Sequence, residues 1–425
     1  MKRKNMIIFL LLAALCLQLA ACGVPSAPTE PKQTENTQGT DKPQPSTEQQ
    51  EPVQPSGQGN GEAKPVDASF EAASADFAAR LLQNAVRSGE NTVLSPYSVL
   101  MALAMTANGA YGETRSQMET LFGLPLEQLN GYLLACARKS SEEFSAANAI
   151  WVREDFEISE EFRHINQNYY GAEIQAAAFD DKTCKRINEW VSTQTKGRIR
   201  EILNEMNPDA LMYLVNALAF TARWKFEYDA SDVIKDTFHG ANGDKTVELM
   251  HSEERWYLHD ENTTGFLKDY KNDRFCYAVL LPKEGVSLDE YIAALSGEKL
   301  TALIAGAEQT RIRAAMPKFK TEYSGEMNNA LRQMGMSDAL DPNLADFSAM
   351  SQAGEKGLYI SQILHRTFLQ VNETGTEAAA ATAVEMSGST AVENYKTVRV
   401  DRPFVCGIYD RELQTFLFLG AIYNV

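Results

Sequence analysis

An α+β fold is the class this chain predicts. Two runs near the C-terminus carry the β part. Residues 357–372, Gly-Leu-Tyr-Ile-Ser-Gln-Ile-Leu-His-Arg-Thr-Phe-Leu-Gln-Val-Asn, are rich in β-branched and large apolar side chains, the composition of strands. Residues 397–410 repeat that pattern. Between them, residues 373–386 read Glu-Thr-Gly-Thr-Glu-Ala-Ala-Ala-Ala-Thr-Ala-Val-Glu-Met. Alanine favours helix, yet as a strand this stretch separates cleanly. Thr376, Ala378, Ala380, Thr382, Val384 and Met386 share one face, and Glu377, Ala379, Ala381, Ala383 and Glu385 the other. With 44% hydrophobic residues in 425, the chain can bury a large core. The helical part comes with the motif order described below.

In chain order, Met1 to Ala21 opens with Lys2, Arg3 and Lys4 and continues with an apolar run from Met6 to Leu17. This is a secretion signal, too short and too poorly flanked to span a bilayer. Leu19-Ala-Ala-Cys22 resembles the bacterial lipobox, in which the Cys22 sulfur is the nucleophile that takes a diacylglyceryl group. Two acyl chains are enough for stable anchoring. Residues 22–66 are expected to be a lipid-anchored linker. Eight of the 15 prolines lie between 23 and 66, among Gln, Thr, Ser, Gly and Glu, a composition that cannot build a core. Such a tether spans about 40 Å. The expected location is the extracytoplasmic face of a cell membrane, reached through the anchor.

From residue 67 onward the motifs fall into a sequence. Asn91-Thr-Val-Leu-Ser-Pro-Tyr-Ser-Val-Leu joins a strand to a helix start. Ala102 to Thr114 carries a helix and its glycine turn. Ala147-Asn-Ala-Ile-Trp-Val reads as a strand, Ile187 to Ile199 as a helix, and Leu214-Val-Asn-Ala-Leu-Ala-Phe-Thr-Ala-Arg-Trp as a second strand. Met316-Pro-Lys-Phe-Lys and Asp346-Phe-Ser-Ala-Met-Ser follow. Each is weak alone. Their common order, ending in the hinge-like stretch at 373–386, resembles the serpins, a family of serine protease inhibitors, over residues 70–425. The resemblance implies the serpin fold across 67–425: a central mixed sheet, further sheets, a helical cluster and an exposed reactive-centre loop.

The resemblance also implies a mechanism. A serine protease attacks the loop and forms an acyl-enzyme. The freed loop then enters the central sheet as a new strand and distorts the protease, a strand addition driven by stored strain. The hinge would comprise Glu373, Gly375, Thr376, Glu377, Ala378, Ala379, Ala380, Ala381 and Thr382, small residues without proline, which could not donate to a ladder. Thr376 would enter first, facing inward. Ser95, Ser98, Asn216 and His365 match the shutter beneath the sheet. Trp224, with the ion pair Lys318 and Glu373, matches the breach where the loop enters. Counting 16 residues on from Glu373 puts the scissile bond at Ser389-Thr390. Counting back from Pro403 puts it near Val392-Glu393, because the stretch is about three residues longer than usual, and Met386-Ser387 is a third candidate. No Lys or Arg lies between Glu373 and Tyr395, so an elastase-like or subtilisin-like protease is the expected partner.

Other chemistry is missing from the sequence. The five histidines form no His-Glu-x-x-His metal helix, and no Gly-x-Ser-x-Gly elbow occurs. No metal, cofactor or catalytic activity is expected. The formal charge of −17, −20 from Cys22 onward, argues against nucleic acid, whose binding rests on neutralised phosphates. Cys136, Cys184, Cys276 and Cys406 are widely spaced, without a Cys-x-x-Cys pair, and are expected to be buried free thiols. The protein is expected to be a monomer. The alternative function is a non-inhibitory serpin-fold binding or adhesion lipoprotein.

Overall fold

Helices begin where the capping chemistry allows. Asp67 accepts hydrogen bonds from the Ser69 and Phe70 amides and starts the first helix; Ser95, followed by Pro96, starts the second. Both are standard N-terminal signals. The computed structural model describes residues 61–425 apart from 140, 208 and 377–394, and residues 145–147, 216 and 217 through their backbone alone. The signal segment, Cys22, most of the linker, the hinge from Glu377 to Thr382 and all three candidate scissile bonds lie outside the described residues.

The helices are α1 (Ala68–Ala85), α2 (Pro96–Ala107), α3 (Gly112–Phe122), α4 (Leu126–Arg138), α5 (Glu160–Tyr170), α6 (Asp181–Gln194), α7 (Leu288–Ala293), α8 (Gly297–Ala305) and α9 (Asn328–Gln333). The first eight strands are β1 (Thr92–Leu94), β2 (Phe144–Arg153), β3 (Glu173–Ala177), β4 (Met212–Phe220), β5 (Ala222–Arg223), β6 (Val233–Gly240), β7 (Gly243–His259) and β8 (Thr263–Asp269). The rest are β9 (Phe275–Pro282), β10 (Glu308–Pro317), β11 (Phe319–Glu326), β12 (Gln362–Val371), β13 (Gly375–Thr376), β14 (Lys396–Arg399), β15 (Phe404–Asp410) and β16 (Thr415–Ile422).

Among the described residues the strands form two mixed sheets. One runs β1-β16-β15-β9-β8-β7-β10-β14, with β6 beside β7. The other runs β3-β2-β4-β12-β13-β5, with β11 beside β12. Helix α2 is buried along its whole length. It packs on β16 of the first sheet and on β4 and β2 of the second, which explains why its sequence is apolar on every side. Strands β9 and β16 are likewise buried at every position. β12 alternates strictly between buried and half-buried positions, as a strand with one face on the core should. A smaller cluster, including Ile187, Val191, Trp151 and Tyr213, lies between α6 and the opposite face of β2 and β4.

Two strand expectations need trimming. The run at 357–372 forms a strand only over Gln362–Val371; Leu358 and Ile360 are buried in irregular chain before it. The run at 397–410 divides into β14 and β15 around Pro403, which has no N–H for a ladder.

Candidate functional site

The second sheet is closed at its lower end and parted higher up. β4 and β12 pair in parallel from Tyr213 with Gln362 to Ala217 with Arg366, placing Asn216 beside His365. Beyond Arg366 the chain turns back at Asn372, and β13 lies between β12 and β5. Thr376 pairs with Val371 on one side and with Ala222 on the other.

A tight turn fixes that upper end. The Asn372 carboxamide oxygen accepts from the Thr374 amide at 3.0 Å, the Thr374 hydroxyl at 2.9 Å and the Gly375 amide at 3.1 Å. This is the Asx geometry that asparagine favours in turns. Gly375 runs so close to β5 that a β-carbon there would stand 2.1 Å from the Ala222 carbonyl oxygen. The main chain of Thr374 and Glu373 accepts from the Trp224 and Tyr228 amides, each at 3.0 Å. The Trp224 indole donates to the Asn372 carbonyl at 2.8 Å and stacks on Tyr270 at 4.5 Å. Thr376, 1% exposed, meets the Tyr270 hydroxyl at 2.5 Å. At the surface, Lys318 reaches Glu373 at 2.6 Å and Glu248 at 3.3 Å. The Glu373 contact holds the Lys318 pKa above its usual value. Burial pushes the Glu373 carboxyl upward, but Lys318 and a backbone hydrogen bond outweigh it and leave it low.

The closed end is less well furnished. The Ser95 amide donates to His365 Nε2 at 3.0 Å, and the Ser98 amide donates to the Ser95 hydroxyl at 3.3 Å. All three side chains are buried. The Ser98 hydroxyl and His365 Nδ1 have no hydrogen-bond partner among the described atoms. Burial alone lowers the His365 pKa to about 4, so the imidazole is neutral, and Nε2 is its acceptor. On the opposite face, Arg366 donates to the Glu201 carbonyl, tying β12 to the segment between α6 and β4.

The structure therefore gathers Ser95, Ser98 and His365 in one place, with Asn216 beside them by register, and Trp224, Lys318, Glu373, Gly375 and Thr376 in another. Thr376 faces inward. Sequence reasoning missed Tyr270, which caps Thr376, and Asn372, although Asn followed by Thr and Gly is a turn signal. It also missed a buried ion pair below Trp224, Lys268 with Glu254 at 2.8 Å. Lys268 lies 4.3 Å from the Tyr228 ring. Nothing in the sequence marks these two charges, since both sit in strands that carry other charges on their exposed faces. Cys136, Cys184, Cys276 and Cys406 are buried and unpaired. Burial raises the thiols of Cys136, Cys276 and Cys406 to about 12, which leaves them unreactive. No group of His, Cys, Asp and Glu among the described residues could hold a metal ion.

A family model described as serpin, serine protease inhibitor, matches residues 72–425. The chain belongs to the serpin family. An uncharacterized serpin-like protein of Thermococcus kodakarensis is 32% identical over 86% of this chain and 87% of its own length. Human antithrombin-III is 29% identical over 81% of this chain and 78% of that protein. Among solved structures, the thermophilic serpin tengpin in its native state has 41% identity and a TM-score of 0.83, covering 87% of this chain and 97% of tengpin. The latent state of tengpin scores 0.76 at 38% identity, covering 85% and 100%. In this serpin, as described above, β4 and β12 are direct neighbours at the lower end of the sheet.

Proposed function

We propose that this serpin inhibits serine proteases as a single-use substrate, carried outside a bacterial cell by a lipid on Cys22. The observation that carries the reading is the register of Thr376, already paired on both sides. Six residues further along an inserted strand, position 382 falls opposite His365 on β12 and Asn216 on β4. Those two residues pair with each other in the closed sheet. An inserted Thr382 would thus replace that pairing, with its side chain on the same face as Thr376. The same register brings residue 385 opposite Gln362 and residue 386 opposite Met212, where both strands begin. A strand ending at Met386 would still lie within the sheet. Cleavage at Ser389-Thr390 lets the loop clear it, which favours that bond over Met386-Ser387.

The chemistry is ordinary acyl transfer stopped halfway. The protease serine oxygen attacks the carbonyl carbon of Ser389 and forms an ester. The bond to the Thr390 nitrogen breaks, and the amine leaves with the proton. Insertion then carries the ester-bound protease along the sheet before water reaches it. This chain supplies the small hinge, the entry point under Trp224 and Tyr270, and a seam that can part. The residues around the candidate bonds fit the small or apolar preference of elastase-like and subtilisin-like enzymes. The protein acts as a monomer and catalyses nothing itself.

The test is to nick the loop with a protease that is not trapped and to compare melting. Insertion completes two ladders of some ten residues, at about 1 kcal/mol per net hydrogen bond, so the transition should rise by roughly 20 °C or more. An unchanged transition would favour a non-inhibitory binding serpin. Among similar solved structures, human thyroxine-binding globulin complexed with thyroxine, 27% identical, illustrates such a binding role.

A further inference from the structure

We propose that the exposed face of β7, β10 and β14 is a docking surface for an acidic patch on the target protease. The proposal rests on the inhibitory reading and adds a property of the partner. The face carries Arg255, Arg311, Arg313 and Arg399, with Lys396 at its edge, all exposed. The pleat accounts for their grouping. Arg311 and Arg313 alternate with buried Ile312 and Ala314 on β10. Glu253 lies opposite Arg313, with Arg255 two residues along β7. Thr397 of β14 lies on the other side of Arg313.

Part of this charge is neutralised within the face. Arg311 is held by Glu253 through two hydrogen bonds of 2.8 Å, and Arg399 by Asp236 and Asp401. Arg255, Arg313 and Lys396 form no ion-pair contact among the described residues. They leave a local positive excess on a chain whose formal charge is −17. A solvated patch of mixed charge would need no such segregation.

Position decides what the patch is for. Tyr395 is the first described residue after the loop, and its ring lies under both Arg311, at 4.6 Å, and Arg313, at 4.4 Å. These stacking contacts anchor the C-terminal end of the loop to the cationic face. The residues that follow the three candidate bonds lie two to eight positions before Tyr395 in the sequence, so a protease bound to the loop is tethered near this face. An acidic patch on that protease would meet Arg255, Arg313 and Lys396. The net negative charge of the whole chain would repel an acidic enzyme at long range, whereas this patch attracts it at the point of docking. Such complementarity acts mainly on the association rate and fades with salt.

The experiment compares Arg255→Glu with Lys396→Glu, as a double variant, and the neutral pair Arg255→Gln with Lys396→Gln. Arg313 is left alone because it anchors Tyr395. The probe is a subtilisin-like protease of net negative surface charge, and the second-order trapping rate is followed from low to high salt. At low salt the native chain should trap faster than the glutamine pair by about tenfold, and that advantage should fade as salt rises. The glutamate pair should be slowest at low salt, with the glutamine pair between it and the native chain, and the three rates should converge as salt rises. The number of inhibitor molecules consumed per protease should stay the same in all three, since insertion is not touched. A glutamate pair that traps this protease at the native rate and with the native salt dependence overturns the proposal. If the native chain forms no covalent complex with any serine protease, the inhibitory reading has failed and this proposal falls with it; a native chain that traps normally but shows no response to the variants sinks the docking surface alone.

Discussion

The two ends of the seam between β4 and β12 are built differently. At the upper end the entering chain is held by a dense set of hydrogen bonds. Asn372 accepts three donors, the Trp224 indole is bonded, and the Thr376 hydroxyl meets Tyr270. At the lower end one hydrogen bond from Ser95 reaches His365, and two buried polar atoms have no partner among those described. The first residues of the hinge are thus committed to the sheet, while lower down β4 and β12 still pair directly with each other. An inserting strand would start from a fixed point and would have to replace that pairing.

The largest effect should come from the committed end. Thr376→Arg places a cation where Thr376 is buried against Tyr270, which costs several kcal/mol if unpaired. Insertion would slow, the acyl-enzyme would hydrolyse first, and the number of inhibitor molecules consumed per protease should rise about tenfold or more. Titration of a fixed amount of protease measures this. A variant that traps with native stoichiometry would show that the upper end is not the entry point.

The closed end should respond to acid. His365 titrates near 4 in the folded protein and near 6.5 when unfolded. The unfolded chain therefore binds the proton first as pH falls, so the stability from keeping this imidazole neutral is complete above pH 6.5. It is lost progressively toward pH 4, by about 3 kcal/mol in all. Most carboxylates remain ionised between pH 5 and 6.5, so denaturant melts over that window report on histidines, and the difference from a His365 variant isolates this one. His365→Gln should flatten the slope there. An equal slope in both proteins would remove His365 as the acid-sensitive element of the seam.

The smallest effect belongs to the surface of the committed end. Lys318 and Glu373 are each about one-third exposed, at 36% and 31%, and Lys318 keeps Glu248 as a second partner. Glu373→Ala should lower stability by about 1 kcal/mol or less, and less still in high salt. A loss of several kcal/mol would mean that the ion pair, and not the Asx turn with Tyr270, holds the hinge in place.

Much of this contrast could be read from the sequence, for a physical reason. Ser95, Ser98, Asn216, His365, Trp224, Lys318 and Glu373 sit in motifs whose residue types and order resemble the serpins strongly enough to place each one. Alternation in 373–386 puts Thr376 on the face without charges, because strand period needs no tertiary information, and the resemblance implies that this face turns inward. What stayed hidden depends on partners distant in sequence. Tyr270 lies 106 residues from Thr376, and Lys268 and Glu254 become a buried pair only when β7 and β8 turn the same face inward. The break of the run at 397–410 could have been anticipated from Pro403, and the shortening of 357–372 to β12 could not.

The central claim is that cleavage and insertion outrun hydrolysis. It is tested most directly by mixing residues 67–425 with an elastase-like or subtilisin-like serine protease and analysing the products by denaturing electrophoresis and mass. The expected products are a covalent complex of inhibitor and protease that survives denaturation and a released C-terminal peptide beginning at Thr390. A peptide beginning at Glu393 or Ser387 would move the bond but keep the mechanism. Complete loop cleavage, with active protease recovered and no covalent species at any ratio, would contradict it.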